Sequence, residues 1–334
     1  MNGASRQSAF VISIDFELAW GVRDRADLDA YKQNLFGARE AVPALLRLFA
    51  EYQVHATWAA VGFLFCDGRQ EAIAASPAML PQYRDRALFP YDELPQRGRN
   101  EAEDPLHFAP SLLRMIQAAP NQEIATHTFS HFYCLEETQS VEAFRADLAA
   151  AQGVASKFGV ELRSLVFPRN QYAPAYLRAA ADSGIVAFRG TQGSWIHSSR
   201  PSSDETMLRR GLRFLDSYFP MTAANGNGHS HDEFGLINVP ASAFLRPFSG
   251  AVGGMELLRL KRITDAMDRS AQTGGTFHLW WHPHNFGVNL NENLNFLEKI
   301  LRHARMLETQ YGVQSLTMAE AAARVLPAEH EVAV

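Results

Sequence analysis

Ala9-Phe10-Val11-Ile12-Ser13-Ile14-Asp15-Phe16-Glu17-Leu18 decides the fold class of this 334-residue chain. Its apolar content and β-branching predict a strand. The strand ends on two carboxylates. Side chains alternate faces along a strand, so Asp15 and Glu17 point one way and Phe16 the other. Carboxylates at the end of an apolar strand are costly unless they are paired, protonated or bound to a cation, or unless the strand has already emerged into solvent.

Outward from that stretch a cadence repeats. Val42, Leu45, Leu46 and Phe49 carry helical spacing within 38–52, and Gln53 to Val61 reads as the next strand. Val141, Phe144, Leu148, Val154 and Phe158 mark another helix face, stopped by Gly159 and followed by a strand from Leu162 to Phe167. A helix over 173–183, Gly184 and a strand over 185–188 come next; a helix over 293–309, Gly312 and a strand over 313–316 close the series. Gly just past a helix is the expected stop. Thr317-Met318-Ala319-Glu320 predicts a capping box for one last helix. Strands alternating with helices imply a parallel sheet with helices outside, and such sheets place ligands at the carboxyl ends of their strands. The cadence predicts about seven strands in one α/β domain over residues 8–326, with a tail over 327–334.

Composition narrows the function classes. A chain that is 47% hydrophobic and 20% charged is expected to be a soluble globular protein with a sizeable core. A net charge of −5 with no basic stripe argues against nucleic acid as a partner. Two distant cysteines, Cys66 and Cys134, make no disulfide framework and fit a reducing compartment, although one bridge between them stays open. The first residues lack a secretory signal pattern, and no run nears the ~18 apolar residues of a membrane span, so a cytoplasmic location is expected. Two stretches, 77–110 and 195–247, interrupt the cadence and read as lids or substrate-contact loops. The second contains His229-Ser230-His231-Asp232, read as a solvated tip rather than a metal site.

Three further stretches carry chemistry. His127 and His131 are four residues apart in His127-Thr128-Phe129-Ser130-His131; on a helical turn both imidazoles would share a face and reach one ion, and otherwise they are two polar loop residues. Arg169 ends a strand at Phe167-Pro168-Arg169-Asn170-Gln171-Tyr172, where it would grip a carboxylate with two prongs or sit exposed. In Thr276-Phe277-His278-Leu279-Trp280-Trp281-His282-Pro283-His284-Asn285, alternation puts His278, Trp280 and His282 on one face and Trp281 on the other. A histidine among tryptophans suits a general acid, and the tryptophans suit a sugar face or simply the core.

Together, Asp15-Phe16-Glu17, Ala56-Thr57-Trp58-Ala59-Ala60-Val61-Gly62, His127-Thr-Phe-Ser-His131, Pro168-Arg169 and Leu279-Trp-Trp-His282 appear in the order of the motifs of one family. From about residue 8 to about 320 the chain resembles the polysaccharide deacetylases, the NodB homology domain of carbohydrate esterase family four. The resemblance implies a distorted (β/α)7 barrel and a divalent ion, usually zinc, with cobalt or nickel as substitutes. It implies His127 and His131 as ligands, Asp15 as catalytic base, Arg169 as the residue that orients Asp15, and His282 as general acid. Two departures stand out. Phe16 separates the two acids that are usually adjacent, so Glu17 becomes the third ligand, with Asp15 as the alternative. Pro168 precedes the arginine. His284 is an alternative to His282, and Tyr172, Trp195, Trp280, Trp281 and His284 are the expected substrate contacts. The implied reaction is removal of an N-acyl, usually acetyl, group from an amino sugar. A cytoplasmic setting would make that sugar nucleotide- or lipid-linked, in surface-polysaccharide or lipopolysaccharide O-antigen assembly. The alternatives are an amidohydrolase of a small non-sugar amide and a carbohydrate-binding pseudoenzyme.

Overall fold

A computed structural model describes residues 8–24, 27–191, 196, 206–218 and 230–325. The elements, in order, begin with β1 (Ala9–Phe16), α1 (Leu28–Glu51), β2 (Ala56–Ala60), α2 (Arg69–Ala75), α3 (Pro110–Ala118), β3 (Gln122–Thr126), α4 (Val141–Lys157) and β4 (Ser164–Leu165). They continue with α5 (Pro174–Asp182), β5 (Ala187–Phe188), α6 (Met207–Asp216), β6 (Ser230–His231), β7 (Ile237–Asn238) and β8 (Ala243–Phe244). They end with α7 (Glu256–Thr273), β9 (Thr276–Trp281), α8 (Leu290–Tyr311), β10 (Gln314–Leu316) and α9 (Met318–Ala323).

The strands form one curled sheet in the order β6-β7-β5-β4-β3-β2-β1-β9-β8, with β10 also paired to β1. Every pairing is parallel except β6 with β7. The described residues form ten short strands where about seven were expected, in a curled and largely parallel half-barrel. The additional ones, β6, β7 and β8, come from the 195–247 stretch, which also contributes α6.

β1 is buried along its whole length and lies inside the sheet, paired with β2, β9 and β10. Its period-2 pattern sorts the interior from the outer layer. Phe10, Ile12, Ile14 and Phe16 face the helices, among Val42, Leu45, Phe49, Trp58 and Trp281. Ala9 and Val11 face inward, with Ala59, Ala125, Val166, Ala187 and Ile237 from neighbouring strands, and α9 closes that end with Met318, Ala321 and Ala322. Small residues suit the inside of a tightly curled sheet, where little width remains for side chains. Further along the same inward face the lining turns polar: Ser13, Asp15, Arg189 and His278 are each at most 3% exposed. The barrel is therefore apolar at one end and polar at the carboxyl ends of its strands.

Punctuation follows the sequence reading. Gly159, Gly184 and Gly312 sit at positive φ after α4, α5 and α8, and Thr317 with Glu320 forms the capping box of α9. Cys66 and Cys134 are both buried and unbridged. The 77–110 stretch is three 3-10 turns whose side chains reach into the structure: Tyr83 and Leu88 pack on Tyr133, and Tyr83 Oη accepts the Tyr133 N–H at 2.9 Å.

Candidate active site

Glu17 lies just past β1 at the start of a 3-10 turn. Its Oε2 is 3.0 Å from His131 Nε2 and 3.4 Å from His127 Nε2. All three side chains are buried, and one donor atom of each lies within 4.8 Å of the others. Gly21 makes room for the carboxylate, since a Cβ there would come within 1.9 Å of Glu17 Cδ.

The histidines do not share a helical face, contrary to the expectation from their spacing. β3 stops at Thr126, and Thr128 and His131 take left-handed conformations at φ 64° and 59°. The backbone donors that a helical turn would use go to side chains instead. Thr126 Oγ1 accepts from Thr128 N at 2.9 Å, and Thr128 Oγ1 accepts from Phe132 N at 2.7 Å. Asp147 on α4 accepts from Phe129 N at 2.6 Å, from Ser130 N at 3.2 Å and from the Ser130 hydroxyl. Gly62 permits the loop to cross, because a Cβ there would meet Phe129 at 2.4 Å. Asp147 went unnoticed in the sequence; its signal is a carboxylate on an apolar helix face, between Phe144 and Leu148.

The outer nitrogens of both imidazoles are occupied. His127 Nδ1 lies 2.7 Å from the Val166 carbonyl, and His131 Nδ1 lies 3.0 Å from Tyr133 Oη. A carbonyl only accepts, so His127 donates through Nδ1 to Val166, which leaves Nε2 as the nitrogen that faces Glu17. Burial pushes the His131 imidazole down to about 3, against the opposing pull of Glu17. Burial would raise the Glu17 carboxyl, but His282 with the hydrogen bonds of His127 and His131 holds it well below the usual range. Two imidazole nitrogens and one carboxylate, all turned to one point, fit a divalent ion of the zinc type with coordination positions left open.

Asp15 lies beside this group and is gripped by Arg189: Nη1 to Oδ1 at 2.6 Å and Nη2 to Oδ2 at 2.7 Å. This corrects the expectation for Arg169. That residue sits at φ 54° in the turn after β4, which turns its guanidinium onto Asp24 and over the Tyr133 ring at 4.3 Å. Arg189 follows β5 directly, so the arginine-ended strand that holds Asp15 is the next one along the sheet. Ser13 and Asn170 accept its remaining donors, and Trp280 stacks on it at 4.2 Å. Burial opposes ionisation of Asp15, yet Arg189, His127 and His282 together hold its carboxyl below the ordinary value.

His282 completes the cluster from the end of β9. Its Nε2 is 3.7 Å from Asp15 Oδ2 and 3.5 Å from Glu17 Oε1, and its Nδ1 faces Asn285 Oδ1 at 3.3 Å. His284 stacks parallel to it, ring centroids 4.7 Å apart. Trp280 is half-buried between Phe244 and His282. Trp281 is corrected as a substrate contact: it is fully buried on the opposite face of β9, against Phe49 and Phe286. Tyr172 is half-buried against Phe188, and its Oη accepts the Thr191 N–H at 3.3 Å, bracing the segment that carries Arg189. Trp195 and His229 lie outside the described residues.

Two histidines and a carboxylate thus converge at the polar end of the curled sheet, with an Arg-held aspartate and a further histidine beside them. Residues 29–188, just under half of the chain, match the polysaccharide deacetylase family model, in line with a hydrolase that acts on sugar amides. The matched segment contains His127 and His131; Asp15, Glu17, Arg189 and His282 lie outside it. No curated protein sequence matches the chain. Among solved structures it is similar to a protein described as a polysaccharide deacetylase from Mycobacterium smegmatis, at 14% identity and TM-score 0.61, covering 97% of this chain and 92% of that one. Another so described, from Pseudomonas aeruginosa, gives 14% identity, TM-score 0.57, and 98% and 93% coverage. Puue allantoinase gives 11% identity, TM-score 0.57, and 100% and 94% coverage. At these identities the likeness concerns the fold. Among the described residues no helix is long and apolar enough to cross a membrane.

Proposed function

We propose that the chain is a metal-dependent N-deacylase of amino sugars, with acetyl the acyl group removed and zinc the ion. The observation that carries this is the convergence of Glu17 Oε2 on His127 Nε2 and His131 Nε2, with Asp15 and His282 alongside. Glu17, His127 and His131 would hold the ion, which would supply Lewis acidity at the acyl carbonyl. Asp15 takes the proton of the attacking water, kept in place by the Arg189 fork. His282 presents Nε2 toward the scissile nitrogen, steadied through Nδ1 by Asn285, and gives its proton to the departing amine. Trp280 offers a half-buried aromatic face beside His282 for the sugar ring.

The substrate we favour is a nucleotide- or lipid-linked amino sugar of surface-polysaccharide or O-antigen assembly, handled in the cytoplasm. The test is a panel of N-acetylated sugars, free, nucleotide-linked and lipid-linked, incubated with zinc-loaded protein and assayed for acetate and free amine. Acetate release that is lost on chelation and restored by zinc is expected. Release of ammonia or amine from small non-sugar amides, with every amino sugar untouched, would favour the non-sugar amidohydrolase; binding of sugars without hydrolysis would favour a pseudoenzyme.

A further inference from the structure

The two oxygens of Glu17 face different histidine pairs. Oε2 faces His127 and His131, whereas Oε1 lies 3.5 Å from His282 Nε2. His284 is buried behind His282, the two imidazoles parallel within 15° and 4.7 Å apart. One donor atom each of Glu17, His282 and His284 lies within 4.8 Å of the others. Donors on a tetrahedral ion with bonds of about 2.1 Å stand about 3.4 Å apart. The Glu17–His282 separation is already near that value. The His282 side chain is 21% exposed, so this second trio opens toward solvent, where water ligands would complete the shell.

We propose that Glu17 Oε1, His282 and His284 form a second cation site, weaker than the first, and that its occupation by excess zinc-type ion inhibits the enzyme. The proposal rests on the reading of Glu17, His127 and His131 as the primary ligands. Weaker binding follows from charge: the only carboxylate of the second trio is shared, and a neighbouring dication repels the newcomer. Inhibition follows from valence. A His282 nitrogen that donates its lone pair to an ion cannot also carry the proton for the leaving amine. Two imidazoles select borderline ions such as zinc, cobalt or nickel over magnesium or calcium.

The experiment is a zinc titration of chelator-stripped protein, read by calorimetry and by acetate release at each free-zinc level, on wild type, His131→Ala and His284→Asn. Wild type is expected to bind two ions, the second about 100-fold or more weaker, with turnover rising on the first and falling on the second. His284→Asn is expected to keep the tight ion, lose the weak one, and show no fall from its own maximum at high zinc. His131→Ala is expected to lose the tight ion. Cobalt titration of wild type makes the same point without a variant, as a second visible-absorption signature saturating near two equivalents. A single ion at saturation, with turnover indifferent to excess zinc, would overturn the second site and leave the deacylase reading standing. An unchanged weak ion in His284→Asn would overturn the ligand assignment. Absence of any tight ion in wild type would overturn the primary reading and this one with it.

Discussion

Arg189 and Asp15 meet through two parallel hydrogen bonds, 2.6 and 2.7 Å long, although 174 residues separate them in the chain. Arg189 is fully buried, so truncating it would strand the Asp15 charge at a cost of about 3–5 kcal/mol. The informative variant is therefore Arg189→Lys, which keeps the charge and loses the fork. Its kcat is expected to fall about 100-fold with bound metal unchanged, whereas Arg169→Lys should fall less than about 5-fold. Steady-state kinetics with metal analysis checks both; equal losses would return Arg169 to the role the sequence suggested.

Asp15→Asn removes the base and keeps the shape. Turnover is expected to drop by about 10³-fold, within the range for loss of a general base, while the ion stays bound through Glu17, His127 and His131. Retained activity would sink the base assignment, and a lost ion would make Asp15 a ligand.

Gly21→Ala probes the space around Glu17 rather than Glu17 itself. The new methyl group would sit 1.9–2.3 Å from the carboxylate atoms, so the side chain must swing away from the histidines. Metal affinity is expected to weaken by about 10–100-fold, the loss typical when groups that orient ligands are changed. Competition with a fluorescent chelator measures it, and wild-type affinity would show that Glu17 is not a ligand.

Asp147 ties the histidine loop to pH. Burial pushes its carboxyl up to about 6 from an ordinary 3.8, against the hydrogen bonds of Ser130 and Phe129. The folded state then holds a proton that the unfolded chain has released, so this group's contribution to stability falls as pH rises from 3.8 to about 6. Over that window the difference amounts to ~3 kcal/mol at most. Asp147→Asn does not titrate. Its stability relative to wild type is expected to improve by up to about 3 kcal/mol between pH 4 and pH 7, read from urea midpoints. A difference that stays constant with pH would count against a raised Asp147.

Much of this was legible along the chain because it depends on local rules. Alternation in 9–18 put Asp15 and Glu17 on one side, glycine stops bounded the helices, and the order of motifs pointed to the barrel. The weaker readings were those that needed through-space partners. Arg169 and Arg189 both end strands, and nothing local says which one faces Asp15; the left-handed turn at 169 and the stacking of Trp280 on Arg189 do. The helical reading of His127 and His131 failed because Asp147, on a separate helix, takes the backbone donors that a helix would need.

By itself, then, the sequence determined the parallel α/β class, the polar ends of its strands and the residue types at the site, since periodicity and chain order are properties of neighbours in sequence. Only the tertiary structure decided which arginine holds the base, which tryptophan is core and how two histidines outside a helix come to face one carboxylate. Those outcomes turn on buried charges and donors finding partners on other elements, 174 residues away for Arg189 and Asp15 and 17 for Ser130 and Asp147.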